Sequence, residues 1–187
     1  MEWETMSKYL VIFYVIIFTP FHLYAQNIEI KCDFKDNNID TDKLYSTGTY
    51  DKNISGTLCY ENITDDEMYG KLHFKYYFPL KNGKLNGREQ SFIKYENDDN
   101  FHINSYSEYK DGIKNGKEVF YYDDGSIINE SNYKNGQLDG VLKEYSEDGM
   151  LTLEAEYKNG KEHGKAIYYN EDGIEKIEYF NNGVKVK

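Results

Sequence analysis

Any chemistry in this chain would have to come from four histidines, two cysteines and a series of acidic turns. His22, His73, His102 and His163 are scattered, with neither the close spacing of a metal triad nor a serine and a carboxylate gathered around one of them. Cys32 and Cys59 form no CxxC and have no Cys/His cluster near them, so zinc has no ligand set. The turns Asp123-Asp124-Gly125, Glu147-Asp148-Gly149 and Glu171-Asp172-Gly173 offer two carboxylates each. Calcium takes about six to eight oxygens, so they fall short. The glycines recur beside Asn or Asp rather than between a strand and a helix, which is not the pattern of a phosphate-binding loop. The sequence therefore predicts no catalytic residue, no metal and no cofactor, and points away from an enzyme.

The bulk properties narrow the partners. A formal net charge of -11 and a pI near 4.8 repel phosphate backbones and anionic headgroups, so nucleic acid is excluded as an expected partner. The mean hydropathy is -0.81, yet aromatics make up 17% of the chain, with 20 Tyr and 10 Phe. Disordered chains are poor in such rings. This composition instead predicts a thin, exposed, all-β fold whose apolar contacts are made by amphipathic aromatics.

The first 25 residues have the pattern of a signal peptide. Met6-Ser7-Lys8 leads into an apolar run, Tyr9 to Phe18, which Pro20 breaks, and Ala25 stands at a suitable −1 position before Gln26. The run is short of the roughly 20 residues that span a bilayer. An uncleaved anchor is the alternative. The expectation is an exported chain, periplasmic, envelope-bound or secreted, that starts near Gln26 and has no transmembrane span. In an oxidising compartment Cys32 and Cys59 could pair, or they could stand as two buried thiols.

What positions the remaining residues is a repeat. Tyr109-Lys110-Asp111-Gly112, Tyr133-Lys134-Asn135-Gly136 and Tyr157-Lys158-Asn159-Gly160 align without gaps. Each is followed by a second glycine, Gly116, Gly140 or Gly164, and then by the acidic-turn glycine, Gly125, Gly149 or Gly173. Asn-Gly and Asp-Gly favour tight hairpin turns because both central residues need positive φ. Two turn signals per unit mean two strands per unit. Leu151, Leu153, Ala155 and Tyr157 alternate with Thr152, Glu154 and Glu156, as a strand with one wet face does. The prediction is a tandem array of antiparallel β-hairpins over 70–187, behind an eroded N-terminal cap at 26–69. A parallel β-solenoid is the rival fold.

Two aromatic columns run through the copies: Tyr109, Tyr133, Tyr157 and Phe180 before the first glycine, and Phe92, Tyr121, Tyr145 and Tyr169 after the second. Stacked copies would bring these rings into ladders, or would line them up for a sugar or peptide ligand.

The unit Y-x-N-G-x-x-x-G-x-x-x-x-Y-x-x-D-G resembles the bacterial MORN-repeat variant of YwqK-type antitoxin proteins of toxin–antitoxin systems, clearest over 109–183. The resemblance implies successive antiparallel hairpins in one elongated twisted sheet, no catalytic residues, and a protein-interaction or membrane-attachment role. The expected function is a protein-binding or scaffolding module, the alternatives being an envelope glycan binder and an antitoxin or immunity protein.

Overall fold

The computed structural model describes residues 31–186 apart from 37 and 51, so the expected signal segment, 1–25, lies outside the described residues. The fold is all-β: a single open, twisted sheet, mostly antiparallel. Its first strands are β1 (Phe34–Lys35), β2 (Gly56–Asp66), β3 (Gly70–Lys81), β4 (Lys84–Leu85) and β5 (Gly87–Tyr95). β6 (His102–Lys110), β7 (Ile113–Tyr121), β8 (Ile127–Lys134), β9 (Gln137–Leu138) and β10 (Gly140–Tyr145) follow. β11 (Leu151–Lys158), β12 (Lys161–Asn170), β13 (Gly173–Asn181) and β14 (Val184–Lys185) complete it. Strand order follows chain order, so each hairpin lies beside the next, and among the described strands only β1 pairs in parallel, with β2. The parallel-solenoid alternative is thereby set aside.

The turn after each Tyr-x-Asn/Asp-Gly segment is made as its residues dictate. Asp111-Gly112, Asn135-Gly136 and Asn159-Gly160 have φ of 52/87, 52/81 and 52/77, the double positive φ of a type I′ hairpin. Asn82-Gly83 and Asn182-Gly183 repeat it. The acidic turns differ from the expectation that both central residues take positive φ. In Asp124-Gly125 and Asp148-Gly149 the glycine alone does, at φ 85 and 82. The Gly125 and Gly149 amides close back on the Tyr122 and Ser146 carbonyls, giving a type I turn followed by a left-handed glycine.

The second glycine of each unit marks a two-residue bulge. Tyr133 pairs with Leu138, but beyond it Glu130 pairs with Lys143, so Asp139-Gly140 have no opposite number. The same offset separates Tyr109↔Lys114 from Ser107↔Glu118 and Tyr157↔Glu162 from Ala155↔Ala166. These glycines carry φ of 110 to 130, and a Cβ at Gly116 would stand 2.8 Å from the Glu108 Cβ. Turn and bulge together stitch the units. The amides of Gly112, Gly136, Gly160 and Gly183 donate to the carbonyls of Leu85, Lys114, Leu138 and Glu162 in the preceding unit.

The same signs extend the array upstream of residue 70. Gly56 has φ 133 and pairs with Leu80, as Gly87, Gly116 and Gly140 pair with Tyr109, Tyr133 and Tyr157. Ser55 Oγ accepts the Asn82 amide at 2.9 Å, as Asn115 Oδ1 accepts that of Asn135 at 3.2 Å. Gly70 is the glycine of the β2–β3 turn, and the strand it opens runs to the Asn82-Gly83 type I′ turn.

The N-terminal hairpins hold the main apolar core. A short helix, α1 (Thr41–Thr47), lies across one sheet face and buries Leu44 against Leu58, Phe78, Leu80, Leu85 and Tyr109. The Asp40 carboxylate caps its start by accepting the Lys43 amide, and Gly48 ends it at φ 63. A Cβ at Gly48 would meet the Gly112 carbonyl oxygen at 1.7 Å, so this helix end fits against the type I′ turn only as glycine. Cys32 and Cys59 are joined as a disulfide, with 5.8 Å between their Cα atoms, next to the β1–β2 pairing.

Candidate binding faces

Register sorts the side chains into two faces. The face under α1 runs through Glu89↔Ser107↔Glu118↔Ser131 and on through Leu142↔Ala155↔Ala166↔Glu178. The opposite, open face runs through Gln90↔Tyr106↔Val119↔Glu130↔Lys143↔Glu154↔Ile167↔Ile177.

The two aromatic columns fall on opposite faces. Tyr109, Tyr133, Tyr157 and Phe180 are on the helix face, each opposite the second glycine of its neighbour strand. Phe92, Tyr121, Tyr145 and Tyr169 are on the open face. Neither column is a stack of touching rings, contrary to the ladder expected. Successive members lie two strands apart, about 9.5 Å, while ring contact needs centroids within about 7 Å. On the helix face a spacer fills each gap. The Lys114 ammonium lies 4.8 Å from the Tyr133 centroid and 6.0 Å from that of Tyr109, and Leu138 and Glu162 occupy the next two positions. On the open face the ring contacts join column members to other aromatics, Tyr77 with Phe92 and Tyr106 with Tyr121.

Glu89, Glu118 and Glu178 are buried carboxylates on the helix face. Glu89 is 2% exposed and accepts the Tyr45 hydroxyl from α1 at 2.8 Å. Burial pushes its carboxyl up to about 7, against the opposing effects of the Tyr45 hydrogen bond and the Lys114 charge. Burial likewise raises the Tyr45 and Tyr109 phenols above their ordinary range. Glu118 accepts from the Ser107 hydroxyl at 2.9 Å and from Lys114 Nζ, and the Tyr133 hydroxyl shares it, with that phenol raised to about 12, chiefly by burial. At the far end Lys176 and Lys185 hold the Glu178 carboxyl below the usual range. These acids are satisfied by groups of α1 and of their own and adjoining strands and serve the fold.

Chemistry elsewhere is sparse. His73 lies against Phe101 and Glu61, and His102 contacts Asp98 at 2.6 Å. His163 occupies the bulge position held by Asn115 and Asp139 in other units, and its Nδ1 has no partner. Among the described residues no group of three or more His, Cys, Asp or Glu is placed to hold a metal ion. No described helix is long and apolar enough to cross a membrane. A cleft of about 140 Å³ at the foot of α1 is lined by Asp36, Leu44, Tyr50 and Lys52, among others, and its Asp36 is already engaged by Tyr50 and Lys52.

Two uncovered expanses remain. On the helix face beyond α1, Phe120, Leu142, Leu153 and Tyr168 lie beside Tyr133 and Tyr157 around the small buried residues Ser131, Ala155 and Ala166. On the open face, rings alternate with ion pairs: Arg88–Glu108 at 3.0 Å, Lys117–Glu130 at 3.2 Å and Lys143–Glu154 at 3.5 Å. The sequence marked the columns but could not assign the faces, because a bulge changes register without a further residue signal.

No curated protein matches the chain. Residues 114–135 and 138–159 match the family described as MORN repeat variant, and each matched stretch is one hairpin unit ending at the first residue of the next type I′ turn. The match supports a MORN-repeat protein.

Proposed function

We propose that the chain is an exported, non-enzymatic binding module that holds a protein partner against the uncovered part of its helix face. The observation that carries this reading is continuity: the surface on which α1 docks runs on, uncovered, from β7 to β13 with aliphatic and aromatic side chains. Such aromatic-rich patches are the centres of protein interfaces. α1 displays a mode of docking, one aliphatic anchor in Leu44 and one phenol reaching a buried carboxylate from Tyr45. MORN repeats are associated with protein- or membrane-binding modules. The net charge of -11 disfavours an anionic bilayer and leaves protein as the favoured partner. Export is supported by the apolar leader ending near Ala25, and the Cys32–Cys59 disulfide suits an oxidising compartment.

The test is a photo-crosslinking side chain placed at Phe120, Leu153 or Tyr168, with Lys165 and Glu175 on the other face as controls, in the cell of origin. Adducts to one protein from the helix-face positions alone are expected. Adducts from the open face alone, or none, would contradict the reading.

A further inference from the structure

We infer that the open face binds a neutral linear polysaccharide, one disaccharide per hairpin unit, with Tyr121, Tyr145 and Tyr169 as its platforms. This goes beyond the protein-partner reading and uses the opposite face. The three rings recur every second strand, in the order β7, β10 and β12. With strands about 4.8 Å apart they are about 9.5 Å from one another. That spacing matches two linked pyranose rings in an extended chain. It does not match an extended peptide strand, whose like-facing side chains recur at about 6.8 Å.

The flanking groups suit sugar hydroxyls. Glu130, on the strand between those of Tyr121 and Tyr145, pairs with Lys117, and Glu154, on the strand beyond Tyr145, pairs with Lys143, each pair presenting a donor next to an acceptor. The Tyr145 hydroxyl donates to Glu130 Oε1 at 3.4 Å, which fixes the ring's edge and leaves its face for the CH side of a pyranose. Because each pair is charge-balanced, and the chain carries -11 overall, the polymer is uncharged rather than anionic. The rings are half-buried, so they are held as platforms, while Lys117 remains 52% exposed at its side chain. The only described helix packs on the other face.

The test is calorimetric titration of the purified chain with β-1,4-linked N-acetylglucosamine and β-1,4-linked glucose oligomers of increasing length. Affinity for one series is expected to rise with each added disaccharide until all three platforms are filled. Tyr145→Ala should weaken the longest oligomer by about tenfold or more, the scale of one stacking ring. Tyr145→Phe should retain binding, and Phe120→Ser on the helix face should leave it unchanged. Should Tyr145→Ala lose its far-UV dichroism, Lys143→Ala, which changes no ring, serves in its place and should weaken binding. Failure of both series to bind, affinity independent of length, or equal loss in Phe120→Ser would overturn the assignment. Protein adducts from the open face in the crosslinking experiment would overturn it too, whereas absence of helix-face adducts would leave it standing.

Discussion

At the scale of single residues, the least expected group is Glu89, a carboxylate 2% exposed in an acidic, thinly packed protein. Its carboxyl is raised to about 7 from 4.5 because burial penalises the charge more than the Tyr45 hydroxyl and Lys114 relieve it. The fold therefore prefers it protonated. Its contribution to stability is full below about pH 4.5 and is lost as pH rises through about 7, a change on the order of 3 kcal/mol. Glu89→Gln removes that dependence while keeping an acceptor for Tyr45. Urea denaturation should find the variant more stable than the parent at pH 8 and close to it at pH 5. Equal differences at both pH values would show that Glu89 is ionised throughout. Half-buried carboxylates held low, among them Asp36 and Asp98, lose their contribution as pH falls, so the difference between variant and parent isolates Glu89.

At the scale of elements, the repeat is a turn, a bulge and two strands, and its glycines do different work in each. Gly116 has φ 125 and faces Glu108, so Gly116→Ala meets both a strained backbone and a side chain; it should cost about 2–3 kcal/mol. At Gly125 a Cβ meets nothing within 4 Å, and Gly125→Ala should cost only the backbone strain, about 1 kcal/mol. Chemical denaturation orders the two, and the reverse order would remove the bulge from the account. The turns were legible because Asn-Gly forces local geometry by itself. The bulge was legible only as a recurring glycine, since its purpose depends on which residue of the next strand stands opposite. A glycine before an alternating run looks alike after a bulge and after a turn, so the role of Gly70 in the β2–β3 turn is visible only with the register. The helix α1 left no periodic trace, because its only buried residue is Leu44 and its placement comes from Asp40, Gly48 and the turn at Gly112. The face of each aromatic column stayed hidden because it needs the register.

At the scale of the whole molecule, the chain is a one-dimensional stack with a helix-covered beginning and two long faces beyond it. Neighbouring units are joined by sheet pairing and by the turn amides, so no unit needs a deep core of its own. The signature glycines and the tyrosines before each type I′ turn are spent on this stacking, and recognition falls to the open-face rings and to positions that vary between units, such as Lys114, Leu138 and Glu162 in one row. The central claim is that each type I′ turn is tied to the unit before it. Residue-resolved hydrogen exchange tests it directly at the amides of Gly112, Gly136, Gly160 and Gly183. Although these amides sit at hairpin tips, the stitching predicts exchange about as slow as in the adjoining strands. Exchange at the rate of an unprotected turn would contradict it.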